Sequence, residues 1–129
     1  MKGKILVVDD EEDIRNLARI ILEDAGYEII AACDAKEAFE KASAEMPDVI
    51  LLDIIMPERS GLEACREMKA QQKTHSIPIV MFSVLGKASD KEKARKMGAD
   101  GYLVKPFTAE DLLAEVKKQM KRGKGAPAP

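Results

Sequence analysis

Five short apolar segments alternate with five longer segments of helical periodicity, and this alternation restricts the possible folds more than any other feature. The short segments are rich in β-branched residues and are predicted to be buried strands, at 4–8, 28–32, 49–52, 79–82 and 102–104. Near-continuous apolar strands that alternate with helices are typical of a parallel sheet covered on both faces. The sequence therefore predicts an α/β fold with five parallel strands and five helices.

The first predicted helix has the clearest apolar stripe, and Gly26 is expected to end it. The members of this stripe are Ile14, Leu17, Ala18, Ile21, Leu22 and Ala25. The other helices are predicted at about 35–45, 60–72, 87–97 and from 109, where Thr108 is the expected N-cap. The fourth helix offers only Ala88, Ala94 and Met97 as apolar anchors, so we expect it to be the most weakly docked.

The chain has 129 residues, of which 46% are hydrophobic, and this suits one domain with a sizeable core. We assign residues 1–122 to that domain and the Gly/Pro-rich residues 123–129 to a flexible tail or the stub of a linker. A membrane span and a signal peptide are both absent from the sequence, which predicts a cytoplasmic protein. Cys33 and Cys65 have no metal-binding or redox spacing and are expected to be reduced, half-buried thiols.

Polar side chains stand at the carboxyl ends of four predicted strands. Asp9 and Asp10 follow the first strand, Asp53 the third, Ser83 the fourth and Lys105 the fifth. In an open parallel sheet, ligands bind outside these strand ends, close to the point where the strand order reverses. Three clustered carboxylates repel one another unless a cation compensates them. The pattern therefore predicts a cation site in which all five side chains converge.

Oxygen ligands of this kind favour Mg²⁺, and a lone histidine, His75, excludes a multi-histidine metal site. A carboxylate beside Mg²⁺ can attack phosphorus and form an acyl phosphate. Phosphoryl transfer then requires little beyond alignment and charge stabilisation, which Lys105 and Ser83 are suited to provide. The residues alone thus indicate a phosphoryl-accepting site.

Six motifs follow one another along the chain: LVVDDE at 6–11, ILLDIIMP at 50–57, GLE at 61–63, FS at 82–83, GADGY at 98–102 and LVKPF at 103–107. As an ordered set covering about residues 3–122, they resemble the receiver domain of two-component response regulators. The resemblance implies a flavodoxin-like, doubly wound sheet with strand order 2-1-3-4-5. It also implies a phosphorylation-dependent signalling switch rather than an enzyme, one that catalyses only its own phosphorylation and dephosphorylation.

The resemblance further implies a role for each site residue. Asp53 would accept the phosphoryl group from a histidine kinase, a phosphotransfer protein or a small acyl phosphate. Asp10, Asp53 and the Ile55 carbonyl would bind Mg²⁺ directly, with Mn²⁺ as an alternative, and Asp9 would act through a bound water. Lys105 would pair with the acceptor and then with the phosphoryl oxygens, and the Lys105–Pro106 bond is expected to be cis.

Switching is expected to involve Ser83 and Tyr102. In similar proteins the hydroxyl residue moves towards the phosphoryl group and the aromatic ring turns inward; the alternative for Tyr102 is a half-buried tyrosine on an edge strand. The fourth helix, fifth strand and fifth helix would form the output face. Ile55 and Leu85 are bulky and apolar at positions that control the access of water, which predicts a long-lived phosphoryl state.

Two other classes are opposed by specific residues. A phosphatase that forms an aspartyl phosphate needs a second acid two residues after the nucleophile, where this chain has Ile55. A flavodoxin-type cofactor site is opposed by the acidic turn at 9–13. The chain is either a complete single-domain regulator or a receiver from a larger regulator or hybrid kinase with a separate output domain; the lack of an output module favours the first. We expect a monomer or a weak phosphorylation-dependent dimer.

Charge is distributed unevenly along the chain. Residues 1–85 carry 10 Lys/Arg and 17 Asp/Glu, whereas residues 86–129 carry 11 and 6. The basic side chains of the second part lie mostly on the fourth and fifth predicted helices, at Lys87, Lys91, Lys93, Arg95 and Lys96 and at Lys117, Lys118, Lys121 and Arg122. An acidic phosphorylation pocket and a basic flank predict an acidic protein as output partner, with no direct binding to nucleic acid or membrane.

Overall fold

A five-stranded parallel sheet lies between two layers of helices in the computed structural model, which describes residues 2–123. The strands are β1 (Lys4–Val8), β2 (Glu28–Ala32), β3 (Val49–Asp53), β4 (Ile79–Ser83) and β5 (Gly101–Val104). The helices are α1 (Glu12–Asp24), α2 (Ala35–Glu45), α3 (Gly61–Ala70), α4 (Ala88–Lys96) and α5 (Ala109–Gly123). The strand order is β2-β1-β3-β4-β5 with every pair parallel, which confirms the predicted fold class and topology.

Alternate residues of the central strands point to opposite faces of the sheet, and each face has its own core. On one face, Leu6 and Val8 pack with side chains of α2, α3 and α4. On the other face, Ile5 and Val7 pack with side chains of α1 and α5. Burial on both sides explains why these strands are apolar at every position instead of at every second one.

The apolar stripe of α1 differs from the prediction at one position. Ala18 and Leu22 are fully buried, and Ile14, Ile21 and Ala25 pack partly against the core, but Leu17 is 46% exposed. Consecutive helical residues point about 100° apart, so a face centred on Ala18 and Leu22 leaves Leu17 at its edge. The inclusion of Leu17 in the buried stripe was therefore wrong.

Helix α4 is held by few apolar contacts. Ala94 is its single buried residue, whereas Ala88 is exposed and Met97, the C-cap, is partly buried. Its sequence thus supplies one of the three expected anchors in full. This agrees with the expectation that α4 is weakly docked.

Three further expectations concern the thiols, the tail and membrane spans. Both cysteines are free, but neither is half-buried: Cys33 is exposed, and Cys65 lies on the buried face of α3. Gly123 is the last residue of α5, and the other residues of the predicted tail, 124–129, lie outside the described residues. Among the described helices, none has both the length and the apolar character needed to cross a membrane.

Candidate functional site

The five polar residues predicted to converge lie together at the carboxyl edge of the sheet. β3 and β4 each extend one residue beyond the predicted strand, so that Asp53 and Ser83 are their last residues. Asp9 and Asp10 follow β1, and Lys105 follows β5. One carboxylate oxygen each from Asp9, Asp10 and Asp53 lies within 4.8 Å of the others. Parallel pairing of β1, β3, β4 and β5 thus brings these distant positions to one edge.

Lys105 provides the positive charge of this pocket. Its Nζ donates to Asp9 Oδ2 at 2.6 Å and lies 3.5 Å from Asp53 Oδ2. The side chain is 9% exposed, and its ammonium lies 4.7 Å from the centroid of the Phe82 ring below it. The Lys105–Pro106 peptide bond is cis, as expected. The ammonium is therefore shared between two buried carboxylates.

The Asp53 carboxyl group is buried and hydrogen-bonded. It is 4% exposed, and its Oδ1 accepts a hydrogen bond of 3.3 Å from the Ile55 backbone N–H. Burial raises the pKa of Asp53 to about 6; the negative charge of Asp9 adds to this rise, and the ammonium of Lys105 opposes it. A carboxylate of raised pKa is more basic, and hence a better nucleophile, than an ordinary aspartate.

The turn after β1 fixes the other two acids. Asp9 is fully buried, and its Oδ1 accepts from the Glu11 backbone N–H at 2.9 Å. The Arg15 guanidinium donates to the Asp9 carbonyl at 2.7 Å. Asp10 next to it is exposed, so one acid of the cluster remains open to solvent. No sequence pattern predicts the contact from Arg15, because an arginine six positions after Asp9 resembles any solvated helix residue.

The carboxylates fit a hard divalent cation. Two buried acids and one exposed acid place oxygen donors close together, and the exposed side leaves room for waters that Mg²⁺ retains. The loop after β3 runs beside them and carries Ile55, which is 54% exposed. This donor set is the one Mg²⁺ prefers, and it contains no histidine or thiolate that would favour zinc.

Ser83 and Tyr102 are linked through Leu85, which follows β4. The Leu85 backbone N–H donates to Ser83 Oγ at 3.2 Å, and the Tyr102 hydroxyl donates to the Leu85 carbonyl. Ser83 is fully buried, whereas Tyr102 is partly buried and packs against the core beneath α3 and α4. Burial raises the pKa of Tyr102, so its hydroxyl remains a donor at neutral pH. The loop after β4 is thus bonded on both sides.

Gly61, the first residue of α3, also shapes the site. A Cβ on this residue would lie 1.9 Å from the Asp53 carbonyl oxygen, and its N–H donates to the Ile54 carbonyl at 2.8 Å. Only glycine permits this close approach of α3 to the end of β3. The sequence placed Gly61 in a motif without assigning it a role, because the contact depends on how the loop folds back.

Comparison with known proteins agrees with this geometry. The model of the response regulator receiver domain family matches residues 5–117. The chain belongs to this family. It is 41% identical over 122 residues to the alkaline phosphatase synthesis transcriptional regulatory protein PhoP of Bacillus subtilis (strain 168), a match that covers 95% of this chain and 50% of that protein. The receiver thus spans about half the length of this curated relative.

Solved structures give the same result. The chemotaxis protein CheY4 of Vibrio cholerae is 37% identical, with a TM-score of 0.85 over 90% of this chain and 97% of that chain. NtrX from Brucella abortus is 35% identical, with a TM-score of 0.88 over 96% of this chain and 28% of that chain. Receiver domains are phosphorylation-dependent switches that bind Mg²⁺ in an acidic pocket and act with histidine kinases and output partners.

Proposed function

We propose that this receiver accepts a phosphoryl group on Asp53, in a Mg²⁺-dependent reaction, from a histidine kinase, a phosphotransfer protein or a small acyl phosphate. The observation that carries the proposal is the Lys105 ammonium, which lies 2.6 Å from Asp9 and 3.5 Å from Asp53 in a buried pocket. Such an arrangement costs desolvation energy and needs a function to explain it. Stabilising the charge of an incoming phosphoryl group is that function.

In the proposed reaction a carboxylate oxygen of Asp53 attacks phosphorus. The bond from phosphorus to the donor's nitrogen or oxygen breaks, and its electron pair leaves with the imidazole or carboxylate of the donor. Lys105 compensates the charge of one phosphoryl oxygen, and the Ser83 hydroxyl donates to another. Asp10, Asp53 and the Ile55 carbonyl would hold Mg²⁺, and Asp9 would reach it through a water. When bound, the ion supplies positive charge between the acids and the phosphoryl oxygens.

The switch is proposed to run through Leu85. In the present structure the Ser83 hydroxyl accepts a hydrogen bond of 3.2 Å from the Leu85 backbone N–H. Movement of this hydroxyl towards a phosphoryl oxygen would break that hydrogen bond. Movement of the loop would then break the bond from the Tyr102 hydroxyl to the Leu85 carbonyl and free the ring. Because Ala94 is the single buried residue of the adjacent α4, the helix can follow at low cost.

The output partner is proposed to be an acidic protein that contacts α4, β5 and α5. Lys91, Lys93, Arg95 and Lys96 are exposed on α4 and give that helix a basic surface.

The position two residues after Asp53 is Ile55 and not an acid, so the phosphatase alternative has no general acid there. We further propose, from the sequence, that the protein is cytoplasmic and is a monomer or a weak phosphorylation-dependent dimer.

The test is an NMR titration of ¹⁵N-labelled protein with BeF₃⁻, a mimic of the phosphoryl group, at a constant concentration of Mg²⁺. We expect the amide signals of Leu85 and Tyr102 to shift, and we expect the Asp53→Asn variant to give no shift. Lys105→Ala should bind the mimic but leave Tyr102 unshifted. Asp13 is an exposed acid in the first turn of α1. Asp13→Asn is therefore the matched control and should respond like the unmodified protein. Shifts that persist in Asp53→Asn would disprove the proposal.

A further inference from the structure

Three lysines surround an apolar cleft at the amino ends of the strands, opposite the Asp53 pocket. The cleft has a volume of about 370 Å³ and is lined by Lys2, Tyr27, Lys117, Met120 and Lys121. Lys2 precedes β1, whereas Asp9 follows it, so the two sites lie at opposite ends of the same strand. No residue of α4 lines this cleft within the described residues.

The floor and one wall of the cleft are well ordered by contacts. Tyr27 is 6% exposed and packs in the core beneath α1 and α5. The Lys2 backbone N–H donates to the Gly26 carbonyl at 3.2 Å, and the Lys2 ammonium lies 5.8 Å from the Tyr27 ring centroid. Lys117 and Lys121 are one turn apart on α5, with Met120 beside them. An apolar floor thus has a rim of three ammonium groups.

The structure gives no carboxylate partner to these three lysines among the described residues. Six other Lys and Arg residues have a carboxylate oxygen within 4.0 Å, namely Lys4, Lys41, Arg59, Lys69, Arg95 and Lys105. Within the described part of the chain, Lys2, Lys117 and Lys121 have none. Like charges at i and i+4 destabilise a helix, so the Lys117–Lys121 pair is unfavourable without an anionic partner. The positive charge of the rim is therefore available to a ligand.

We propose that this cleft is a docking site for an acidic peptide segment that carries one apolar side chain between its acids. The apolar side chain would pack against Met120 and against the small part of Tyr27 that lines the cleft, and flanking carboxylates would pair with the lysines. A simple inorganic anion would leave the apolar floor uncovered. Single-stranded nucleic acid needs an exposed aromatic face for stacking, and Tyr27 is buried.

The cleft shares no residue with the Asp53 pocket or with α4, so we expect docking here in the absence of the phosphoryl mimic, although Lys117 and Lys121 lie on α5. From sequence, Lys117 and Lys121 were grouped with α4 as one basic flank; the structure divides that flank. One part is the α4 surface of the proposed output face. The other is this cleft, which predicts a second acidic partner, or a second acidic segment of one partner.

The test uses an acetylated and amidated peptide of sequence DELED, titrated into the ¹⁵N-labelled chain in the absence of BeF₃⁻. We expect saturable shifts of the Gly26, Tyr27 and Met120 amides. A DEGED peptide, which lacks the apolar side chain, should bind more weakly. The Lys117→Glu/Lys121→Glu variant should lose about tenfold in affinity, as expected for reversal of two exposed ion pairs.

The matched control is Lys36→Glu/Lys73→Glu, which changes the net charge equally at exposed positions away from both the cleft and α4 and should alter the affinity by less than about twofold. If the α5 variant does not fold, Lys2→Glu tests the same rim from an exposed position outside the helices. Three outcomes would each overturn the proposal: no saturable shift, shifts that map to α4, or equal losses in both double variants.

Discussion

Replacing Asp53 by asparagine should stabilise the protein in the absence of divalent cations. The Asp53 side chain is buried, and burial raises its pKa from 3.8 to about 6 in the folded state. In the unfolded chain the same group ionises near 3.8. Ionising it in the folded protein therefore costs about 3 kcal/mol, since each pH unit of difference corresponds to about 1.4 kcal/mol.

The sign of the pH dependence follows from proton counts. Between pH 3.8 and about 6 the folded state binds more protons at Asp53 than the unfolded state does, so this group's contribution to the free energy of unfolding falls as the pH rises. The contribution is constant above about pH 7 and vanishes below about pH 4. Asparagine carries no charge at any pH. The variant should thus equal the unmodified protein near pH 4 and exceed it by about 2–3 kcal/mol at pH 7.5.

Urea denaturation in EDTA at pH 4.5, 6 and 7.5 measures this difference, because titrating groups that do not interact with Asp53 cancel between the two proteins. At neutral pH we expect the variant to melt roughly 10 °C higher. Asp13→Asn, on the exposed surface, should show no comparable pH-dependent difference. A stability difference that is constant with pH, or an asparagine variant that is less stable at pH 7.5, would refute the assignment of a buried, destabilising charge to Asp53.

Three further outcomes are expected. Gly61→Ala should lower the free energy of unfolding by about 2 kcal/mol or more, because its Cβ would lie 1.9 Å from the Asp53 carbonyl oxygen. Urea denaturation measures this loss, and Gly86→Ala, whose Cβ would lie 3.1 Å from Val104, is the milder control. Tyr102→Phe removes the bond to the Leu85 carbonyl and should speed amide hydrogen exchange in residues 84–87; unchanged exchange would argue against the link. The phosphoryl group should persist well beyond seconds in Mg²⁺ buffer, and Ile55→Asn should shorten its lifetime; a half-life of seconds in the unmodified chain would contradict the proposed exclusion of water.

The architecture was predictable because it follows from periodicity. Central strands buried on both faces are apolar throughout, and helices between them carry one stripe, so the α/β class is evident from positions such as Ile5 and Val7. The convergence of Asp9, Asp53 and Lys105 was also predictable, since parallel strands end at one edge. The prediction of the strand order depended on the family resemblance, because the apolar composition of a strand does not indicate which strands lie next to it in the sheet.

Details that depend on loops and helix rotation were not predictable. Leu17 lies at the edge of the apolar stripe of α1. The close approach of Gly61 to Asp53 depends on the conformation of the loop between β3 and α3. Arg15 reaches a backbone carbonyl, a contact without a sequence pattern. The way in which α5 packs on the sheet places Lys117 and Lys121 beside Tyr27 and not beside α4. Each of these depends on tertiary packing rather than on local sequence.

The most direct test of the central claim is the intact mass of the protein after incubation with acetyl phosphate. With Mg²⁺ we predict the gain of one phosphoryl group, and with EDTA in place of Mg²⁺ we predict almost none. Asp53→Asn should gain none under either condition, whereas Asp13→Asn should behave like the unmodified protein. No gain in the unmodified protein, or an equal gain in Asp53→Asn, would contradict the account.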